Sequence, residues 1–248
     1  MERKVALVTG SSRGIGRGII LEFAKNGYDV VINYNNSKDL ALELKEEVES
    51  LYGIKALVIK CDVSVEEEVI DMINAVILEF GHIDVLVNNA AIEDCSEFGV
   101  KSKASFDRII GTNLIGSFLV SREVSKYMLD RKMGKIINIS SNNSINKYDS
   151  STLEYDCSKA GINILTKCMA KEFSPYINVN AVAPGWVLTE KNRELDNSLS
   201  GCLVTSESEN ILLKRFALVE EIAKVVLFLA GNDSSYINGE IIVVDGGC

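Results

Sequence analysis

The chain of 248 residues contains one histidine, two prolines and one tryptophan, and its six cysteines form no Cys-x-x-Cys pair. The single histidine rules out a zinc site built on a histidine pair. His82 lies at a Gly81-His82-Ile83 joint between a helical pattern and a strand, which reads as a turn and not as the base of a serine triad. Acid–base chemistry must then fall to Tyr, Lys, Asp, Glu or Cys. The separated cysteines (Cys61, Cys95, Cys157, Cys168, Cys202, Cys248) show no metal-ligand spacing and read as free thiols of a reducing, cytoplasmic compartment. No apolar run approaches the ~20 residues that span a bilayer, and the first strand pattern begins too close to Met1 for a signal peptide. Basic residues are in deficit: 26 Lys+Arg against 35 Asp+Glu give a formal net charge of −9, which argues against a nucleic-acid surface.

What is present is an ordinary globular composition, 47% hydrophobic and 25% charged. Short β-branched apolar runs recur at 5–8, 30–32, 56–59, 83–87, 136–139, 177–182 and 241–244. They are mostly continuous, as expected of strands buried on both faces of a parallel sheet. Helical patterns lie between them. Leu40, Leu44, Val48 and Leu51 make one stripe; Val65, Val69, Met72, Val76 and Phe80 make another, with Ser64 and Glu67 spaced as a capping box. Such alternation predicts an α/β fold, a doubly wound, Rossmann-like parallel sheet of about seven strands with helices on both faces. No linker divides the chain, so residues 1–248 are expected to form one domain. Residues 188–213, rich in Ser, Asn and Glu and without periodicity, read as a substrate lid or as a solvated insertion.

Directly after the first strand comes Thr9-Gly10-Ser11-Ser12-Arg13-Gly14-Ile15-Gly16, leading into a helical pattern. Glycines at such a turn let the backbone close on a pyrophosphate, and the helix N-terminus supplies amide donors. The spacing Gly-x-x-x-Gly-x-Gly resembles that of the short-chain dehydrogenase/reductase family. The resemblance runs the length of the chain, through Asp62-Val63, Asn88-Asn89-Ala90, Asn113, Ile139-Ser140-Ser141, Tyr155-x-x-x-Lys159, Pro184-Gly185 and Asp245-Gly246-Gly247.

The resemblance implies a nicotinamide cofactor held by Gly10, Ser12, Arg13, Gly14, Ile15 and Gly16 at the pyrophosphate. Asp62 and Val63 would lie at the adenine. Asn88, Asn89 and Ala90 would line the adenosine side. Pro184, Gly185, Val187 and Thr189 would hold the nicotinamide end. Trp186 would meet substrate or pack the lid. At the end of the second strand, Asn33-Tyr34-Asn35-Asn36-Ser37 carries no carboxylate to bind a ribose 2′-hydroxyl. Asn35, Asn36 and Ser37, with Arg13 as a charge-assisted donor, therefore favour NADP(H) over NAD(H). The other reading is that Arg13 is solvated and both cofactors bind.

Tyr155 and Lys159 are four apart in a helical stretch and share one face. A free tyrosine has a pKa of about 10. Lowering it by ~3 units corresponds to ~4 kcal/mol of differential stabilisation, which an ammonium and an oxidised nicotinamide nearby can supply. By resemblance, Tyr155 is the acid/base, Lys159 also holds the ribose hydroxyls, Ser141 bonds the substrate oxygen and Asn113 supports a water relay. Three departures stand out. Ala90-Ala91 replaces the usual Ala-Gly. The Ser141–Tyr155 gap is one residue longer than usual, which leaves Ser140 or Asn142 as alternatives to Ser141. Residues 145–154 are unusually polar and acidic.

Within the family the layout is most similar to the 3-oxoacyl-(acyl carrier protein) reductases, above all in Leu213-Lys214-Arg215-Phe216 and Val244-Asp245-Gly246-Gly247. Two features differ: Glu93-Asp94-Cys95-Ser96-Glu97 follows the Asn-Asn turn, and the bases that would meet an acidic carrier are thinned to Arg131, Lys132, Lys167 and Lys171. Reduction of a 3-oxoacyl thioester is expected. Sugars, polyols, steroids and other small carbonyl compounds are alternatives, and a non-catalytic NADP-binding sensor is the alternative of another class. By resemblance the assembly is a homotetramer.

Overall fold

Each of the seven apolar runs forms a strand. In the computed structural model, which describes residues 3–199 and 202–248, these are β1 (Val5–Val8), β2 (Asp29–Tyr34), β3 (Ala56–Lys60), β4 (Val85–Asn88), β5 (Gly134–Ile139), β6 (Ile177–Pro184) and β7 (Ile241–Val244). They pair in parallel in the order β3-β2-β1-β4-β5-β6-β7. Because side chains alternate along a strand, β1 feeds two cores. Ala6 and Val8 pack under α1 (Gly14–Lys25), α2 (Lys38–Tyr52) and α9 (Val219–Ala230). Val5 and Leu7 pack under α3 (Glu66–Phe80), α5 (Gly116–Asp130) and α6 (Leu153–Glu172). The order reverses between β1 and β4, so the connections leaving them diverge to opposite faces. A crevice opens beyond their C-terminal ends, where ligands of such sheets bind.

A chain of buried polar side chains crosses the sheet below this crevice. Asn88 on β4 donates to Ser121 on α5 and to Asn138 on β5, each at 2.8 Å. Asn138 donates to Thr166 on α6 at 2.8 Å, and the Thr166 hydroxyl donates in turn to the Ile162 carbonyl. All four are almost fully buried, so each depends on its neighbour to offset lost hydration. Asn88 is thereby a structural residue inside the sheet, not one lining the adenosine side.

Three other expectations change. The buried face of α2 is Ala41, Leu44 and Val48, while Leu40 and Leu51 are exposed. The Ser64–Glu67 capping box does not form: Val65 is the N-cap of α3, Ser64 is bonded through both its amide and its hydroxyl to Asp62, and Glu68 reaches back to the Asp62 amide. His82 does lie in the joint between α3 and β4. It is buried, with its ring against the Phe80 and Arg3 carbonyls and Asp84, at the N-terminal edge of the sheet and remote from the crevice. Residues 188–213 are not irregular but contain α7 (Glu190–Ser198) and α8 (Cys202–Ser208). No α7 side chain is buried, which is why it leaves no apolar period to read. The helix between β4 and α5 is α4 (Lys103–Ile110), followed by a wide π turn at Gly111–Ile115.

Replacing Asn138 by Ala removes the acceptor of one Asn88 amide hydrogen and the donor to Thr166 Oγ1. At about 1–3 kcal/mol per buried group left unpaired, urea unfolding of Asn138→Ala should show a loss of that order, with an unchanged dependence on denaturant.

Candidate active site

The turn after β1 is built by its neighbours. Gly10 and Gly14 hold φ near +60°, a conformation that disfavours any residue with a Cβ. A Cβ on Gly10 would also lie 2.8 Å from the Ala90 Cα. Asn33, at the inner end of β2, accepts from the Gly10 amide at 2.9 Å and donates to the Cys61 carbonyl at 3.1 Å. On the other side Asn89 donates to the Thr9 and Gly10 carbonyls, and Thr9 Oγ1 accepts the Asn89 and Ala90 amides. Asn33 and Thr9 were not singled out in the sequence as site residues. Their signal was a polar side chain at the end of an otherwise apolar buried strand.

The cradle fits a pyrophosphate. Its backbone approaches closely where glycine leaves room, and within it the buried Ser11 hydroxyl has no hydrogen-bond partner. Ser12 is buried beside it, Gly16 is buried in the first turn of α1, and Ile15 packs on the core. Arg13, at the N-cap of α1, is exposed.

At the far end, Asn35 Nδ2 donates to Asp62 at 2.8 Å. Burial raises the Asp62 carboxyl, but hydrogen bonds from Ser64 and Asn35 outweigh it and hold the group below its ordinary value. Asn35 and Asn36 are exposed and Ser37 is half-buried at the start of α2. The Val63 side chain is instead committed to the core, where it fills the space that Gly116 leaves.

On the opposite wall α6 carries Tyr155 and Lys159 on one face. The Lys159 ammonium stands 5.4 Å from the centre of the Tyr155 ring and donates to the Ile139 carbonyl at 2.6 Å. Ser141 lies close enough to the Tyr155 hydroxyl to lower its pKa. Ser140 is turned into α6, against Asn163 and the Lys159 carbonyl, and the Asn142 amide is buried without a partner. Of the three, Ser141 is the one that acts on the Tyr155 hydroxyl. Burial raises the Tyr155 pKa above its ordinary value. Ser141 opposes that shift, and the charges of Glu93 and Asp156 add to it. Asn113, in the π turn, bonds the Ile92 amide and carbonyl and donates to Ser158 at 3.0 Å, and Ser158 donates to the Tyr155 carbonyl. Its side chain supports the first turn of α6 and does not touch Lys159 directly.

The segment after β6 closes the third side. Gly185 lies against Asp245, where a Cβ would come within 2.7 Å. Val187 is buried in the core, and Thr189 caps α7 near Gly14. Trp186 stacks on Phe216 at 5.2 Å and donates to Glu207 on α8, so of its two readings packing of this helical segment holds. The first turn of α7 reaches both walls: Glu190 accepts from the Gly14 amide at 3.1 Å, and Lys191 pairs with Glu93.

Residues 10–248 match a family model described as enoyl-(acyl carrier protein) reductase. The chain is 41% identical over 245 residues to the 3-oxoacyl-(acyl-carrier-protein) reductase of Staphylococcus epidermidis, covering 98% of each chain. It is 39% identical to that of Staphylococcus aureus, covering 98% and 97%. Among solved structures, a candidate gluconate dehydrogenase from Agrobacterium tumefaciens superposes with a TM-score of 0.92 at 35% identity, over 99% and 96% of the chains. A candidate short-chain dehydrogenase/reductase from Burkholderia xenovorans gives 0.90 at 26%, over 100% and 98%.

Burial lowers the Lys159 ammonium from the ordinary lysine value to about 8, a shift that the Glu93 charge partly opposes. From that value up to about pH 10 the unfolded chain holds a proton that the folded chain has released. Stability should thus rise with pH over this window. Urea unfolding of the protein without cofactor should show that rise, and Lys159→Met should flatten it.

Proposed function

The chain belongs to the short-chain dehydrogenase/reductase family, oxidoreductases that act on CH–OH groups with a nicotinamide cofactor, and on that premise we propose that it reduces 3-oxoacyl thioesters with NADPH. One observation carries the substrate: the 39–41% identity, end to end, to 3-oxoacyl-(acyl-carrier-protein) reductases. The exposed apolar side chains Phe106, Ile115 and Phe118 on α4, α5 and the turn between them suit a homotetramer. The free thiols suit the cytoplasm. No helix of the described residues is long and apolar enough to cross a membrane. We treat residues 1–248 as one functional domain, with 188–213 as its lid.

The dinucleotide would lie along the crevice. Gly10, Ser12, Gly14, Ile15 and Gly16 would hold the pyrophosphate. Asp62, the Val63 backbone, Asn89 and Ala90 would flank the adenosine. Pro184, Gly185, Val187 and Thr189 would hold the nicotinamide end. Arg13, with Asn35, Asn36 and Ser37, would receive a 2′-phosphate that a carboxylate would repel. When bound, the nicotinamide supplies or accepts hydride at the substrate carbon.

The protein's own groups manage the proton. Burial keeps the Tyr155 phenol protonated at neutral pH, the form needed to donate to a carbonyl oxygen. Ser141, beside the Tyr155 hydroxyl, would take the same substrate oxygen, fixing its position. As the proton leaves, the Lys159 ammonium beside the ring stabilises the phenolate. Lys159 would also hold the ribose hydroxyls, and Asn113 would steady the turn that aligns both groups. In the oxidative direction the phenolate would act as base. The gluconate dehydrogenase likeness and the Glu93 carboxylate near the pair favour a sugar or polyol as the second reading.

NADPH oxidation with acetoacetyl-CoA, run against sugars, diketones and steroids, tests the substrate. Tyr155→Phe should lower turnover roughly 100- to 10,000-fold while NADPH binding, followed by its fluorescence, persists. Wild-type turnover in that variant would overturn the mechanism. Arg13→Glu should reduce the preference for NADPH over NADH by about tenfold or more, the loss of one charge-assisted contact. An unchanged ratio would remove Arg13 from cofactor selection.

A further inference from the structure

The segment that follows β4 is joined to the start of α6 by a buried ion pair. Lys101 Nζ lies 2.6 Å from a Glu154 carboxylate oxygen, the Glu154 side chain is wholly buried, and that of Lys101 is only 7% exposed. The same ammonium donates to the Ser151 carbonyl at 2.9 Å and to Ser96 Oγ at 3.3 Å. Around it the Ser96 amide also donates to the Ser151 carbonyl, and Cys95 Sγ donates to Ser151 Oγ. The second Glu154 oxygen is buried and has no partner. The placement of this carboxylate in the interior thus rests on Lys101.

Stability alone gives little reason for such a pair. Desolvating two charges costs several kcal/mol, and an apolar pair of similar volume is often as stable or more so. What an ion pair adds is direction. Glu154 immediately precedes Tyr155 in the first turn of α6. The segment it grips begins at Glu93, whose charge reaches Tyr155 and Lys159 and whose carboxylate meets Lys191 of α7. The two walls of the substrate mouth are therefore fastened together one residue from the acid–base tyrosine.

We infer that Lys101 and Glu154 are a positioning pair: by clamping residues 93–103 to the first turn of α6 they set the substrate mouth beside Tyr155. They thereby determine how well the carbonyl substrate is held. This rests on the reading of Tyr155 as the proton donor. The pair touches neither the cofactor cradle nor the reacting atoms, so its effect belongs in substrate KM and not in NADPH affinity.

Three variants test it: Lys101→Met, Lys101→Arg, and the double variant Lys101→Met/Glu154→Leu. The last leaves no stranded charge and keeps the test open if the first fails to fold. With acetoacetyl-CoA and NADPH, the double variant should melt like the wild type yet lose about tenfold or more in kcat/KM, mainly through KM. Its NADPH affinity should be unchanged, and Lys101→Arg should recover most of the loss. Hydrogen exchange at 93–103 and 149–153 should rise in the double variant, with the central strands unaffected. A double variant with wild-type kcat/KM, or with unchanged exchange at 93–103, would overturn the inference. If the wild type turned over no carbonyl compound, the functional reading would fall, while hydrogen exchange, which needs no substrate, would still decide whether the clamp exists.

Discussion

One wall of the candidate site hangs on the turn that leaves β1. Two of its glycines sit at positive φ, and the polypeptide around them is gripped from both sides by side-chain amides, Asn33 from β2 and Asn89 from the end of β4. Those amides stand where they do because β1 lies between β2 and β4 in register, Val8 beside both Ile32 and Val87. The switch in strand order is therefore more than a topological label. It brings two hydrogen-bonding neighbours to one loop and opens the crevice at the same point.

The second wall is set by a different device. Buried polar contacts run from Ser121 through Asn88 and Asn138 to Thr166 and fasten α6 to the sheet. Ser140 with Asn163, and Asn113 with Ser158, hold its first half. A helix fastened at so many points keeps Tyr155, Lys159 and Ser141 in mutual reach without a bound ligand to arrange them. Such networks are costly when incomplete; here Asn88 Oδ1 is buried without a partner, and the remaining contacts tie α6 to the sheet.

Part of the molecule was legible in advance because its signals are local. Seven apolar runs, bounded by glycine and polar residues, mark the seven strands. Tyr155 and Lys159 at i and i+4 share a face in any helix. Elsewhere the local signal misled. Ser64 and Glu67 have capping-box spacing, yet Asp62 takes the serine hydroxyl first. Leu40 and Leu51 fit the apolar period of α2 but lie on its rim, with Ala41 in their place at the core. The helices of 188–213 left no pattern because α7 buries nothing. The Ser141–Tyr155 spacing could not decide among Ser140, Ser141 and Asn142, since three consecutive residues leaving a strand point in different directions and only the packed neighbours select one.

The sequence by itself determined the fold class, the glycine turn after the first strand, and a Tyr–Lys pair on one helix face. These follow from periodicity and residue chemistry, which act over a few positions. The tertiary structure alone decided that Ser140 turns into α6, that Asn88 braces the sheet and does not line the crevice, and that Trp186 packs against Phe216. It also decided that Lys101 and Glu154, 53 residues apart, share one buried contact. Those outcomes depend on which distant segments are desolvated together, and that is a property of the packed chain rather than of any stretch of it.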